Sequence, residues 1–211
     1  MNGHGGRFPR SANRWPRGSH GALRPLGVLT QIMEARDSVS ARHAREVATL
    51  AHRVGVRMGL DDGALAEIEM AASFHDIGKT AVPDRVLLKH GPLDPSEWRV
   101  MRAHAESGAE LLRYLPDCAA IAPLVRHHHE RWDGYGYPDR LREDETPIGS
   151  RIIGTCDAYA AMVADRPYRR ALHPIAARQE MSRGAGSQFD PSAVEALLSA
   201  LEPPLVQICG A

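Results

Sequence analysis

Apolar residues return at three- and four-residue steps through most of the chain, and that spacing predicts helices. Val39, His43, Val47, Leu50, Val54 and Met58 fall along one face of a helix that closes near Gly59. The odd member of that aliphatic face is a histidine. Asp61 and Asp62 are cap residues for a second helix through Leu65, Ile68, Ala72 and His75, stopped by Gly78. The prolines and glycine between Val82 and Pro95 predict a loop with a short helical piece. Asp94 or Ser96 then opens a helix through Trp98, Met101 and Leu111, and a further helix is expected over 119–130. Gly134 to Pro147 is rich in Gly, Pro and charge and reads as an exposed loop before a helix from Ile148 to Ala164. Closing helices are expected near 174–182 and 192–201. Period-two alternation is scarce and no internal repeat is visible, so the fold class is all-α, a single compact bundle of about seven helices.

The first 25 residues depart from this pattern. They hold five Arg, five Gly and three Pro without one acidic side chain, too little apolar surface to offset the entropy of ordering. They read as a disordered basic tail, 26–202 as the domain and 203–211 as a short C-terminal tail. Such a tail is too short for a sensor module, so regulatory input is expected from elsewhere. Taking its five arginines from the 26 basic residues leaves 21 against 26 acidic ones. Nothing in that balance favours DNA, RNA or an anionic membrane as partner. Cys118, Cys156 and Cys209 are few, odd in number and far apart, which suits a reducing compartment better than a disulfide framework. No apolar run approaches the roughly 20 residues of a membrane span, and the N-terminus lacks the apolar core of a secretory signal. A cytoplasmic protein is expected.

Eleven histidines are the unusual count. Placed on the predicted helices, His43, His75, Asp76, His104, His128, His129 and Asp157 stand out, with Lys79 one turn beyond Asp76. Each has an ordinary reading when taken singly: a bonded core histidine, a surface acid, a solvated histidine run. Jointly they do not, because burying so many ionisable groups without a metal is costly. Imidazole and carboxylate together suit Mn, Fe or Zn, and thiolates, the mark of a structural zinc site, are missing. An adjacent His-Asp pair lets the carboxylate bridge two ions while the imidazole binds one. Two ions about 3.5–4 Å apart form a clamp for in-line phosphoryl displacement by an activated water. That chemistry is phosphodiester hydrolysis.

Several further segments follow in a telling order. They are the run from Ser73 to Lys79, the pieces Val82-Pro83-Asp84 and Leu88-Lys89, and His104 followed by Gly108. After them come His128-His129-Glu130-Arg131-Trp132-Asp133-Gly134-Tyr135-Gly136-Tyr137-Pro138, Arg151 through Asp157, and Arg166-Pro167-Tyr168-Arg169. From about Asp37 to Leu198 the chain resembles the HD-GYP subset of the HD-domain phosphohydrolases. The resemblance implies an HD-type helical bundle that cleaves cyclic di-GMP to linear pGpG or GMP with two divalent ions, iron or manganese. It implies His43, His75, Asp76, His104, His128, His129 and Asp157 as metal ligands, with Asp76 bridging and Lys79 facing the scissile phosphate. Arg166 and Arg169 match positions used for the second phosphate or a guanine edge, where a guanidinium fork suits both targets. Gly136, Tyr137 and Pro138 are candidate substrate contacts. Tyr135 and Tyr137 could stack on guanine, although Tyr135 is read equally well as part of a plain surface turn. The same loop is a candidate docking surface for diguanylate cyclase (GGDEF) domains.

Two departures qualify the match. Some relatives place a glutamate where Val39 stands, one turn before His43; valine cannot ligate, so a binuclear centre and pGpG as main product are expected. An acid three residues after the last metal aspartate is replaced by Ala160, a position expected to support Lys79 or the metal shell in relatives. His127 is assigned a structural role and Cys156 a packing role. Two alternatives remain open: a weakly active or inactive effector binding a cyclic dinucleotide or a cyclase domain through Gly134–Pro138, and a hydrolase of another cyclic dinucleotide or phosphoester.

Overall fold

The computed structural model describes residues 27–31, 38–116, 118–165 and 170–202. Both expected tails, Cys209, Arg166 and Arg169 lie outside the described residues. Among the described residues between Ser38 and Ala200 there are nine α-helices: α1 (Ser38–Arg57), α2 (Asp62–Phe74), α3 (Asp84–Leu87), α4 (Pro95–Arg102), α5 (His104–Arg113), α6 (Ala122–Arg126), α7 (Ile148–Val163), α8 (Pro174–Gly184) and α9 (Pro191–Ala200). Two short 3-10 turns, Ile77–Ala81 and Glu143–Glu145, complete the order. Among the described residues the only β-type pairing is a bridge between Ala185 and Phe189, so the all-α expectation holds. No described helix is long and apolar enough to cross a membrane.

Local chemistry explains where several helices start. The Asp61 carboxylate accepts the Ala64 N–H at 2.8 Å and satisfies one of the donors a helix start leaves open. Asp94 accepts from the Ser96 and Glu97 amides while Glu97 reaches back to the Asp94 N–H, a reciprocal cap for α4. Pro95, Pro174 and Pro191 open α4, α8 and α9, where the missing amide proton costs nothing.

Helix α1 lies in the middle, packed on α2, α7 and α9, while α7 also contacts α2, α6, α8 and α9. Val47, Ala51 and Val54 from α1 meet Ile68 and Ala72 from α2, Ile152 and Ile153 from α7, and Leu197 from α9 in one core. Each fully buried aliphatic side chain of this size contributes about 1.5–3 kcal/mol. That core fixes the face of α1 carrying His43 against the face of α7 carrying Asp157.

Two helical expectations need correction. The helix expected from Asp94 or Ser96 through Leu111 is two helices, broken at Ala103, and the one expected over 119–130 ends at Arg126. With α3 counted, these account for nine helices among the described residues where about seven are expected. The first break is tied to a close backbone approach. A Cβ on Gly78 would meet the His104 carbonyl oxygen at 1.9 Å and the Gly108 amide nitrogen at 2.5 Å, so only glycine lets the 77–81 turn lie on the start of α5. The second break leaves His127, His128 and His129 in a turn, free of the 100° stagger that separates consecutive helical side chains.

Candidate metal centre

Helix ends build this centre. His75 caps the C-terminus of α2, and His104 and His128 each stand two residues past the end of a helix, α4 and α6. In each, the Nδ1–H donates to the carbonyl three residues back: Ala72 at 2.7 Å, Met101 at 2.7 Å and Val125 at 2.6 Å. Those carbonyls belong to final turns, where a helix runs out of amide partners. The bond assigns the proton to Nδ1 and turns Nε2 inward, the second-layer arrangement metal-binding histidines use. All three Nε2 atoms are buried without a hydrogen-bond partner. Leaving such a group bare costs about 1–3 kcal/mol, and a coordinated cation removes that cost, so these residues fit a metal.

The candidate ligands form two triads. His43, His75 and Asp157 offer ligand atoms within 4.8 Å of one another, and so do His104, His128 and His129. Asp76 lies between them, with Oδ2 3.4 Å from His75 Nε2 and Oδ1 3.5 Å from His104 Nε2. One carboxylate thus presents one oxygen to each triad. His43 Nε2 lies 2.7 Å from Asp157 Oδ1, and the His75 and His128 ring centroids are 5.2 Å apart across the junction. All seven positions singled out in the sequence converge, from five separate elements.

Electrostatics divides them by role. Burial works against the charge of Asp76, but Lys79 and His75 outweigh it and hold the carboxyl well below its usual range. Burial likewise opposes the charge of Asp157, yet the His43 hydrogen bond and His75 keep its carboxyl low. Burial lowers His104, lowers His128 strongly and brings His129 down to about 4, so these three present neutral lone pairs. His75 goes the other way: burial disfavours its cation, but Asp76 and Asp157 together raise it to about 9. Where these carboxylates hold a proton on His75, a divalent cation can replace it. Cys156 is fully buried, and burial pushes its thiol up, so no thiolate joins the nitrogen and oxygen donors.

Around the ligands, Lys79 Nζ pairs with Asp76 Oδ2 at 2.6 Å and keeps 31% of its side chain exposed, so it faces the mouth. The Tyr137 ring stacks on His129 with centroids 4.9 Å apart, and Tyr137-Pro138 is a cis peptide. Gly136 is buried against the backbone of Glu130 and Arg131, where a Cβ would meet the Arg131 nitrogen at 2.4 Å. Tyr135 is not drawn to the centre; it stands 81% exposed at the loop tip. His127 points away from its neighbours, to the Pro123 carbonyl and Asp139 Oδ2, both at 2.9 Å, which fits the structural role expected. Ala160 faces α1 in a groove with Arg42, Glu46 and Tyr159, whereas Lys79 takes its support from Asp76.

Some residues escape a reading from sequence. Asp139 accepts two bonds from Arg126, at 2.7 and 2.8 Å, as well as the His127 bond, and so pins the end of the Gly134–Pro138 loop beside His128 and His129. Its place directly after Pro138 was the available signal. Arg102 lies over the rings of Trp98 and Tyr137, at 5.7 and 5.2 Å. The four-residue spacing of Trp98 and Arg102 on a helix shows half of that contact.

Comparison with known proteins gives the family and the fold. The family model described as "HD domain" matches residues 27–193. A protein of Thermotoga maritima named "Cyclic di-GMP phosphodiesterase" is 39% identical over 175 residues, 82% of this chain and 48% of that protein. A "3'3'-cGAMP-specific phosphodiesterase 2" of Vibrio cholerae is 37% identical over 174 residues, 81% of this chain and 33% of that protein. The chain therefore spans half or less of these relatives. Among solved structures, an HDG"Y"P protein from Bdellovibrio bacteriovorus aligns with TM-score 0.64 and 16% identity over 84% of this chain and 58% of that one, a likeness of fold.

Proposed function

The chain belongs to the HD domain family, and from that premise we propose that it is a metal-dependent phosphodiesterase that opens cyclic di-GMP to linear pGpG at two divalent ions, iron or manganese. The observation that carries this reading is the pair of triads joined by Asp76. His43, His75 and Asp157 would hold one ion, His104, His128 and His129 the other, and Asp76 both. Such ions supply Lewis-acid polarisation of a phosphoryl oxygen and activation of the attacking water. The chain supplies the rest. The hydrogen bonds from Nδ1 to the Ala72, Met101 and Val125 carbonyls orient the imidazoles before any substrate arrives. Lys79 holds an ammonium beside Asp76, placed to offset negative charge developing on the phosphoryl oxygens, a contribution of about 3–4 kcal/mol for a well-placed group. Tyr137, stacked on His129, and its neighbours Gly136 and Pro138 would contact the substrate, and Arg166 and Arg169 are assigned to it from their positions in the sequence.

The test is anaerobic loading with iron or manganese, metal analysis, and chromatographic detection of pGpG. His75→Ala and Asp76→Ala should each abolish turnover, and unaltered turnover in both would sink the assignment. Two ions per chain are expected; stoichiometric occupancy by three would overturn the binuclear reading drawn from Val39. Side-by-side kinetics on cyclic di-GMP and 3'3'-cGAMP settles preference, since relatives of each name match this chain. Two buried free thiols, Cys118 and Cys156, support a cytoplasmic setting.

The second reading, an effector docking on a diguanylate cyclase domain, draws on the exposure of Tyr135 at the loop tip. Co-purification with a GGDEF domain that Tyr135→Ala abolishes, from protein holding no metal, would favour it over catalysis.

A further inference from the structure

Among the described residues, several arginines around the centre are paired with carboxylates. Arg126 is paired with Asp139 and Glu106, Arg131 with Asp133, and Arg151 with Asp144 and Asp190. Arg102 has no carboxylate partner among the described residues; its guanidinium is instead 5.2 Å from the Tyr137 ring centroid and 5.7 Å from that of Trp98. A guanidinium attracted to aromatic faces keeps its in-plane N–H donors available to another group. Tyr137 in turn stacks on His129, so Arg102 stands one aromatic layer outside a candidate ligand. Trp98 leaves 47% of its surface in solvent beside the guanidinium, an aromatic face open to a stacking partner.

A cyclic dinucleotide offers groups at two depths. The phosphodiester under attack must sit at the ions and Lys79. The base attached to it lies further out, and guanine presents two acceptors, O6 and N7, spaced for a guanidinium fork. We propose that Arg102 reads the O6/N7 edge of one guanine of the substrate, with Trp98 and Tyr137 holding the fork in place and Trp98 offering the base a face to stack on. This inference rests on the cyclic-dinucleotide reading above. It assigns to the chain a determinant of guanine over adenine, because adenine replaces the O6 acceptor with an N6 donor that repels the fork.

The test uses metal-loaded wild-type, Arg102→Met and Arg102→Lys proteins. Their substrate is bis(p-nitrophenyl) phosphate, a diester without bases, and cyclic di-GMP and cyclic di-AMP serve as competitors; metal content is measured on each. The expected result is a fall of about 5- to 150-fold in the preference for cyclic di-GMP over cyclic di-AMP in Arg102→Met, the range a bidentate base contact carries. Arg102→Lys should restore the preference only in part, because an ammonium can still donate to O6 and N7 but loses the planar fork and its stacking on Trp98 and Tyr137. Equal weakening of both competitors would overturn the proposal and move Arg102 to a phosphate, as would an unchanged preference or a loss of metal to a general defect. A wild-type chain that cleaves the simple diester but is inhibited by neither dinucleotide would instead overturn the substrate reading itself. The outcomes for the two claims therefore separate.

Discussion

Stripped of metal, the protein should be most stable near neutral pH and weaken on both sides for opposite reasons. His104, His128 and His129 are lowered by burial, His129 to about 4, whereas in the unfolded chain each titrates near 6.5. Below pH 6.5 the unfolded chain therefore takes up protons that the folded one refuses, and stability present above 6.5 is lost as pH falls. Between pH 6.5 and 5.5 a group shifted this far costs about 1 kcal/mol, so His128 and His129 together remove about 2 kcal/mol, and His104 adds to it. The alkaline limb belongs to His75. Its folded value of about 9 lies above 6.5, so the folded chain holds the extra proton; that stability is complete below 6.5 and is lost as pH rises through 9. Offset by the recovery of the other imidazoles, the net loss from neutrality to pH 8.5 is about 1–2 kcal/mol.

At roughly 2–4 °C per kcal/mol for a domain of this size, the melting temperature of chelator-treated protein should fall by about 4–8 °C at pH 5.5 and by a few degrees at pH 8.5. Scanning calorimetry across that range at constant ionic strength reads it directly. Asp157→Asn should flatten the alkaline limb, since it removes one of the carboxylates holding the His75 proton. Metal loading should do the same and release close to one proton per chain near pH 7.5, seen as a buffer-dependent binding heat. A melting temperature flat from pH 5.5 to 8.5, or metal binding without proton release, would refute the charge assignment of the centre.

Other perturbations probe its construction. Gly78→Ala forces backbone apart where a Cβ would sit 1.9 Å from the His104 carbonyl oxygen, and displacement on the 1 Å scale should cost about 100-fold in turnover; wild-type turnover would show that the approach is not needed. Asp139→Ala removes partly exposed bonds to Arg126 and His127, so stability should change by no more than about 1 kcal/mol while KM for the dinucleotide rises severalfold as Tyr137 loses its anchor; an unchanged KM would contradict that role. His43→Ala and His128→Ala each strip one triad, so metal analysis should find about one ion where the parent holds about two, and full occupancy in both would break the two-triad assignment.

The sequence made the candidate site residues legible because helical spacing and chemistry agreed. His43 shares a face with Val47 and Val54, which are fully buried, so a residue on that stripe had to point inward. His75-Asp76 follows an apolar run and precedes Gly78, and the helix duly ends there. Illegible were the features set by contacts between distant segments. Nothing local to Met101-Arg102-Ala103-His104 stops a helix; the break accompanies the 77–81 turn lying against its backbone. Arg126 and His127 read as a basic helix end, and only the folded loop brings Asp139 onto both. Arg102 resembled any surface arginine until Tyr137 was placed beside it.

The two mistaken helix ends carry the same lesson as the correct one. A continuous helix over 94–111 would give the Met101 carbonyl to the amide of residue 105, and one over 119–130 would give the Val125 carbonyl to the amide of residue 129. Each carbonyl would then be spent inside its helix, and His104 and His128 would lose the acceptors that hold Nδ1 and turn Nε2 inward. A helix through His128 and His129 would also fan their rings 100° apart, whereas the turn brings the centroids to 4.0 Å. The helices stop where they do because the centre uses what a helix end leaves unsatisfied. Propensity rewards continuing the helix by a few tenths of a kcal/mol per residue, and each buried imidazole with its acceptor in place outweighs that. Periodicity alone therefore overshoots at these two places, and the overshoot falls on candidate ligands.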